Sequence, residues 1–216
     1  PINSKPRLAD IDGDGQPDLY ALAGNVVYMW QGLGNGHFQA GKVLLRATGL
    51  PSSSGPPQCE AHVADHNGDG ISDLLLTCET YSNDFESGNV GYSVSAHQWL
   101  GQSGGGYSAP RSALTGWISG FTGHKQYTPH VLDLNGDGLV DILYIYKGVH
   151  GLTAYRWLGQ VGGSFGPAVN VTNLAGDWSP YQLHTTDLNQ DGVTDLVYPR
   201  PVGGRFVLYV NFGDRA

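Results

Sequence analysis

The chain has 216 residues, 33 of them Gly and 12 Pro, and its 40% hydrophobic content is enough for a packed core, which excludes a disordered chain. Eleven Lys and Arg against nineteen Asp and Glu give a net charge of −8, which repels the phosphate backbone and excludes a nucleic-acid partner. No apolar run approaches the roughly 18 residues that cross a bilayer, so membrane insertion is excluded as a helical span.

The N-terminus, Pro1-Ile2-Asn3-Ser4-Lys5, has no signal-peptide pattern, so the chain is either cytosolic or already processed. The first motif follows at once: Asp10-Ile11-Asp12-Gly13-Asp14-Gly15-Gln16-Pro17-Asp18. The same spacing returns as Asp65-His66-Asn67-Gly68-Asp69-Gly70-Ile71-Ser72-Asp73, as Asp133-Leu134-Asn135-Gly136-Asp137-Gly138-Leu139-Val140-Asp141 and as Asp187-Leu188-Asn189-Gln190-Asp191-Gly192-Val193-Thr194-Asp195. Thirteen of the nineteen acids lie in these four segments, so the negative charge is arranged as sites.

Calcium takes six to eight oxygen ligands at about 2.3 to 2.6 Å, and a loop with side-chain oxygens at positions 1, 3 and 5 and a carbonyl at position 7 wraps it. Asp10, Asp12 and Asp14 fill the first three places in loop one, with Gln16 as carbonyl donor and Asp18 as the last carboxylate at position 9. Ile71, Leu139 and Val193 are the carbonyl donors of the other loops. Glycine at position 6 (Gly15, Gly70, Gly138, Gly192) permits the sharp turn that folds both halves onto one ion. Simple hairpin-turn chemistry is the alternative, but four copies with every oxygen position filled predict up to four Ca2+ ions. Magnesium wants a rigid octahedron and keeps its waters, and loops without Cys do not suit zinc or copper.

The first aspartates are 55, 68 and 54 residues apart, a period that signals a repeat architecture. Each loop is followed by an apolar strand and a second signature: Trp30-Gln31-Gly32 to Phe38, Trp99-Leu100-Gly101 to Tyr107, and Trp157-Leu158-Gly159 to Phe165. Asn211-Phe212-Gly213 stands at the equivalent place in the fourth repeat. No segment has a sustained period of 3.6, so the chain is read as all-β, each ion loop closing a hairpin rather than joining the helices of an EF-hand. The longer second repeat carries an insertion near Tyr81 to Tyr92, expected to be a surface loop.

These motifs resemble the FG-GAP/VCBS repeat family of integrin-α-like propellers, some lectins and the shells of insecticidal toxin complexes. The resemblance implies a β-propeller with one calcium hairpin per blade, commonly of seven blades, whereas the loops here count four repeats in one β-repeat domain over 1–216, at about 1–55, 56–123, 124–177 and 178–216. It also implies an extracellular, secreted or cell-surface, non-catalytic role as a structural or adhesive scaffold. Repeat arithmetic leaves the last blade about fifteen residues short. The array is therefore expected to be open, with Phe206 to Val210 pairing head to tail with a neighbouring copy into a polymer or filament. A lectin-like module for a glycan or protein receptor, or a toxin-shell fragment, is the alternative.

Cys59 and Cys78 flank loop two and come nearly opposite across its hairpin, so they form a disulfide in an oxidising compartment or are two buried thiols. Asn170-Val171-Thr172 is a glycosylation sequon. Gly101-Gln102-Ser103-Gly104-Gly105 matches a nucleophile-elbow pattern, but Val161 replaces Ser103 in repeat three, so Ser103 is a turn residue. His62, His130 and His184 lie three residues before a loop, with Arg7 in their place in repeat one. They are read as strand positions whose imidazole bonds a neighbouring blade, against a metal or anion cluster. Trp30, Trp99 and Trp157 are read as packing between blades, and Tyr81, Phe85 and Tyr92 as the better candidates for ligand contact.

Overall fold

A computed structural model of the chain describes residues 6–50, 58–84, 89–104, 106–119, 127–148, 151–170 and 184–211. Among them there are fifteen strands and no helix, and hence no helix long and apolar enough to cross a membrane. The chain forms two compact units, Pro1–Ser119 and Gly120–Ala216.

The first unit holds two sheets of four antiparallel strands. One is β1 (Arg7–Ala9), β2 (Asp18–Ala23), β3 (Val26–Trp30) and β4 (Lys42–Arg46); the other is β5 (Gln58–Ala64), β6 (Asp73–Asp84), β7 (Asn89–Trp99) and β8 (Arg111–Ser119). The second unit holds β9 (Tyr127–Leu132), β10 (Asp141–Gly148), β11 (Gly151–Trp157) and β12 (Val169–Asn170) in one sheet. Its other sheet is β13 (His184–Thr186), β14 (Asp195–Val202) and β15 (Arg205–Asn211). Strands follow chain order in every sheet, the up-and-down pattern of a propeller blade. The all-β class and the blade-like repeat expected from the sequence are therefore what the structure shows.

Register follows from the ion loops. The residue before position 1 pairs with position 9 in every repeat: Ala9 with Asp18, Ala64 with Asp73, Leu132 with Asp141 and Thr186 with Asp195. The apolar runs after the loops then enter the core: Leu74, Leu75 and Leu76 in β6 and Ile142 to Ile145 in β10 are all buried. Such continuous runs mark strands covered on both faces. In the first unit Tyr20, Leu22 and Val27 of one sheet meet Ala61, Leu74, Leu76 and Trp99 of the other. In the second, Leu134, Leu143 and Ile145 meet Leu196 and Tyr198.

Cys59 and Cys78 sit directly opposite in the β5–β6 register and form a disulfide, with Cα atoms 4.1 Å apart. The insertion in repeat two is not a loop. It lengthens the β6–β7 hairpin, with Tyr81 opposite Tyr92 and Asp84 opposite Asn89. Antiparallel pairing satisfies backbone groups that a loop of this length would leave to water. Phe85 and residues 171–172 of the sequon lie outside the described residues, as do Phe212 and Gly213.

Candidate metal centre

Each ion loop is organised by its first aspartate. Asp10 accepts N–H groups from Gly13 at 2.8 Å and Gly15 at 2.9 Å, one on each carboxylate oxygen. Asp65 does the same for Gly68 and Gly70, and Asp133 for Gly136 and Gly138; Asp187 accepts from Asp191 and Gly192. The position-6 glycines all have φ near +82° (Gly15 +81°, Gly70, Gly138 and Gly192 +82°), which is why the sequence places Gly there. Position 4 is also left-handed, and in loop four Gln190 adopts φ +61° in place of glycine.

The position-5 aspartates Asp14, Asp69, Asp137 and Asp191 each accept the N–H of the position-7 residue, Gln16, Ile71, Leu139 and Val193, at 2.8 Å. In loops two to four the position-3 asparagine donates its amide to the position-5 carboxylate: Asn67 to Asp69, Asn135 to Asp137 and Asn189 to Asp191. Asp12 has no amide to give. Its carboxylate is instead met by Gln31 Nε2 at 2.6 Å, from the turn after Trp30.

The position-9 aspartates differ from the rest. Asp18, Asp73, Asp141 and Asp195 are fully buried, whereas Asp12, Asp14, Asp69, Asp137 and Asp191 are exposed. One oxygen of each accepts the N–H of position 2: Ile11 at 3.1 Å, His66 at 3.0 Å, Leu134 and Leu188 at 2.8 Å. In the first three repeats the other accepts from the glycine two residues after the Trp: Gly32 at 2.8 Å, Gly101 at 2.7 Å and Gly159 at 2.6 Å. The residue therefore joins the ion loop to the second signature, and a carboxylate oxygen with one such bond keeps a lone pair for a cation. Those glycines are close-packed as well. A Cβ on Gly32, Gly101 or Gly159 would lie 2.2, 2.5 or 2.4 Å from the carbonyl of Pro17, Ser72 or Val140.

The second signature is a small hairpin in three repeats, bridged Gly32 to Phe38, Gly101 to Tyr107 and Gly159 to Phe165. Ser103 lies in one of these turns, not at a strand-to-helix junction. Trp99 and Trp157 are buried and Trp30 partly so, its indole lying against the backbone of Gly41.

Burial, with the charges of Asp69 and Asp65, pushes the Asp73 carboxyl up against the pull of its two backbone donors; Asp141 behaves alike beside Asp137 and Asp133. Asp12, though exposed, is also raised, by partial desolvation of its carboxyl and by Asp18, Asp14 and Asp10, against the pull of the Asp14 backbone donor. Such crowding of carboxylates favours a bound cation. The donor set fits calcium: it is all oxygen, and atoms of Asp10, Asp12 and Asp18 lie within 4.8 Å of one another, a span that ligands about 2.4 Å from a shared ion can have.

The recurrent histidines divide. His62 Nδ1 lies 3.2 Å from Arg7 Nη1, the equivalent side chain of the first sheet. The guanidinium only donates, so Nδ1 accepts, and Nε2 carries the proton toward Thr77 Oγ1 at 3.1 Å. Arg7 also pairs with Glu60 at 2.7 Å. This bears out the inter-blade reading for His62, while His184 is exposed. Among the described residues no group of three metal-ligating side chains includes a histidine.

Sequence reasoning missed Gln31, which sits nineteen residues from Asp12 and follows a Trp where repeats two and three have Leu. The only signal was that loop one alone has Asp rather than Asn at position 3.

Fold and loops together define an all-β repeat protein with one oxygen-rich loop per blade. The chain belongs to the FG-GAP-like repeat family, whose sequence pattern matches residues 10–76 and 133–198. No curated protein sequence matches it. Among solved structures it is similar to a lectin of Agrocybe aegerita described as recognising non-reducing terminal N-acetylglucosamine, at 19% identity and a TM-score of 0.43. That alignment covers 99% of this chain and 68% of the lectin.

Proposed function

We propose that the chain is an extracellular, calcium-stabilised β-repeat module, a structural or adhesive scaffold with no chemistry of its own. The carrying observation is the gathering of Asp10, Asp12 and Asp18 oxygens within 4.8 Å in a loop whose spacing recurs three more times. The residues that would hold the ions are Asp10, Asp12, Asp14, Gln16 and Asp18, then Asp65, Asn67, Asp69, Ile71 and Asp73. In the second unit they are Asp133, Asn135, Asp137, Leu139 and Asp141, then Asp187, Asn189, Asp191, Val193 and Asp195. Bound calcium supplies positive charge, not reaction chemistry, and offsets the repulsion among crowded carboxylates. The Cys59–Cys78 disulfide supports an oxidising compartment. Head-to-tail self-association through β15 belongs to the same reading, supported by that strand's place at the edge of the three-stranded sheet.

Thermal melting with and without a calcium chelator tests it. Each site at a hundredfold excess over Kd contributes about 2.7 kcal/mol, roughly 5 to 10 °C for a chain of this size. An unchanged melting curve overturns the proposal. Sedimentation in calcium across micromolar concentrations tests the self-association, which a strictly monomeric species excludes.

A further inference from the structure

The position-8 residue of an ion loop stands between two of that loop's candidate ligands, the carbonyl of position 7 and the carboxylate of position 9. In loop two this is Ser72, and its Oγ donates to the backbone carbonyl of Asp10 at 2.7 Å. In loop four it is Thr194, and its Oγ1 donates to the carbonyl of Asp133 at 2.5 Å. Each hydroxyl thus ties the closing half of one loop to the first ligand residue of the loop before it. Pro17 and Val140 hold the same position in loops one and three and carry no hydroxyl.

The two ends of this tie are both held firmly. Asp10 and Asp133 place their own carboxylates on the position-4 and position-6 amides of their loops. Ser72 is pinned from behind, where its carbonyl abuts Gly101. In the second unit the packing is closer still: a Cβ on Gly136 of loop three would lie 2.3 Å from the carbonyl of Gly192 in loop four. An ion that draws positions 7 and 9 together in the later loop fixes position 8, and the hydroxyl passes that order to the ligand that starts the earlier loop. Ordering shared in this way lowers the ordering cost of the second ion.

We propose that Ser72 and Thr194 are positioning residues that couple the ion loops in pairs, one with two and three with four. This rests on the calcium reading above and adds to it that the sites are not independent. The coupling has the size of one net hydrogen bond, roughly fivefold in affinity, and acts equally in both directions.

The test is a calcium titration followed at single amides by NMR, with Gly15, Gly70, Gly138 and Gly192 reporting their own loops. Ser72→Val is expected to raise the midpoint at Gly15 about fivefold and leave Gly138 unchanged; Thr194→Val does the reverse. Ser72→Thr and Thr194→Ser keep the hydroxyl and keep the wild-type midpoints. Asp12→Ala, which cripples loop one, raises the midpoint at Gly70 in the wild-type background but not with Ser72→Val. Superimposable titrations of the Val variants overturn the proposal. So does an equal effect of the hydroxyl-bearing variants, or a Ser72→Val shift as large at Gly138 as at Gly15, which marks general destabilisation. Wild-type protein that binds no calcium overturns the proposed function and the coupling with it.

Discussion

Asp12 is where the demands of folding and of the proposed ion binding oppose each other most directly. Partial desolvation and three neighbouring carboxylates raise its pKa in the fold, although the side chain is largely exposed. A raised carboxyl is favoured when protonated, so its ionisation costs the calcium-free protein stability, a cost that appears as pH rises above the ordinary 3.8. Asp12→Asn installs the residue that Asn67, Asn135 and Asn189 already provide, with an amide able to bond the position-5 carboxylate as they do. At this exposed position the substitution is expected to stabilise the chain in chelator by only about 0.5 kcal/mol while weakening calcium at loop one. Melting in chelator and calorimetric titration would show the opposite signs.

His66 is a second residue at odds with its surroundings. It occupies the position of Ile11, Leu134 and Leu188, is buried, and neither ring nitrogen meets a hydrogen-bond partner among the described residues. Burial lowers its pKa to about 4. A depressed histidine contributes its full stability above the unfolded value of 6.5 and loses it as pH falls toward 4. His66→Leu is therefore expected to raise stability at neutral pH by about 1 to 3 kcal/mol and to flatten its pH dependence between those values, readable in denaturant melts at pH 5 and pH 7.

At the scale of elements, the ion loop and the Trp turn form one structural unit. Gly101→Ala sets a methyl group 2.5 Å from the Ser72 carbonyl and displaces the N–H that Asp73 accepts. A loss of about 2 to 4 kcal/mol is expected in urea unfolding, against little effect at Gly104, where a Cβ meets open space. The shape of the aspartate loops was legible in the sequence because position 1 organises amides three and five residues away, a local matter. So was the cysteine pairing, since a loop of fixed length sets the register of Cys59 against Cys78. The second duty of the position-9 aspartates was not legible. It depends on a glycine 14, 28 or 18 residues further on, a distance set by hairpin length. The β6–β7 extension was misread for a related reason: Gly and Asn in the insertion suggest a loop, but paired backbone outweighs local preference.

At the scale of the whole molecule, the charge of −8 is concentrated in the loops, with thirteen of nineteen acids there. Four divalent cations bound as proposed would formally cancel it. Native electrophoresis at neutral pH is expected to show a large anodic mobility in chelator that nearly vanishes in calcium. A mobility unchanged by calcium would contradict occupancy of the loops.

The two ends of each blade are held to different standards. At the ion-loop end, every described repeat uses the same eight-residue connection and the same buried aspartate. At the opposite end the hairpin strand runs 6 residues in β2, 12 in β6, and 8 in β10 and β14. One end is a fixed joint and the other a free margin. A peptide epitope or reporter grafted between Gly24 and Asn25, in the β2–β3 turn, would thus be displayed without touching the aspartate loops, and natural variation in what such a blade presents has the same margin available to it.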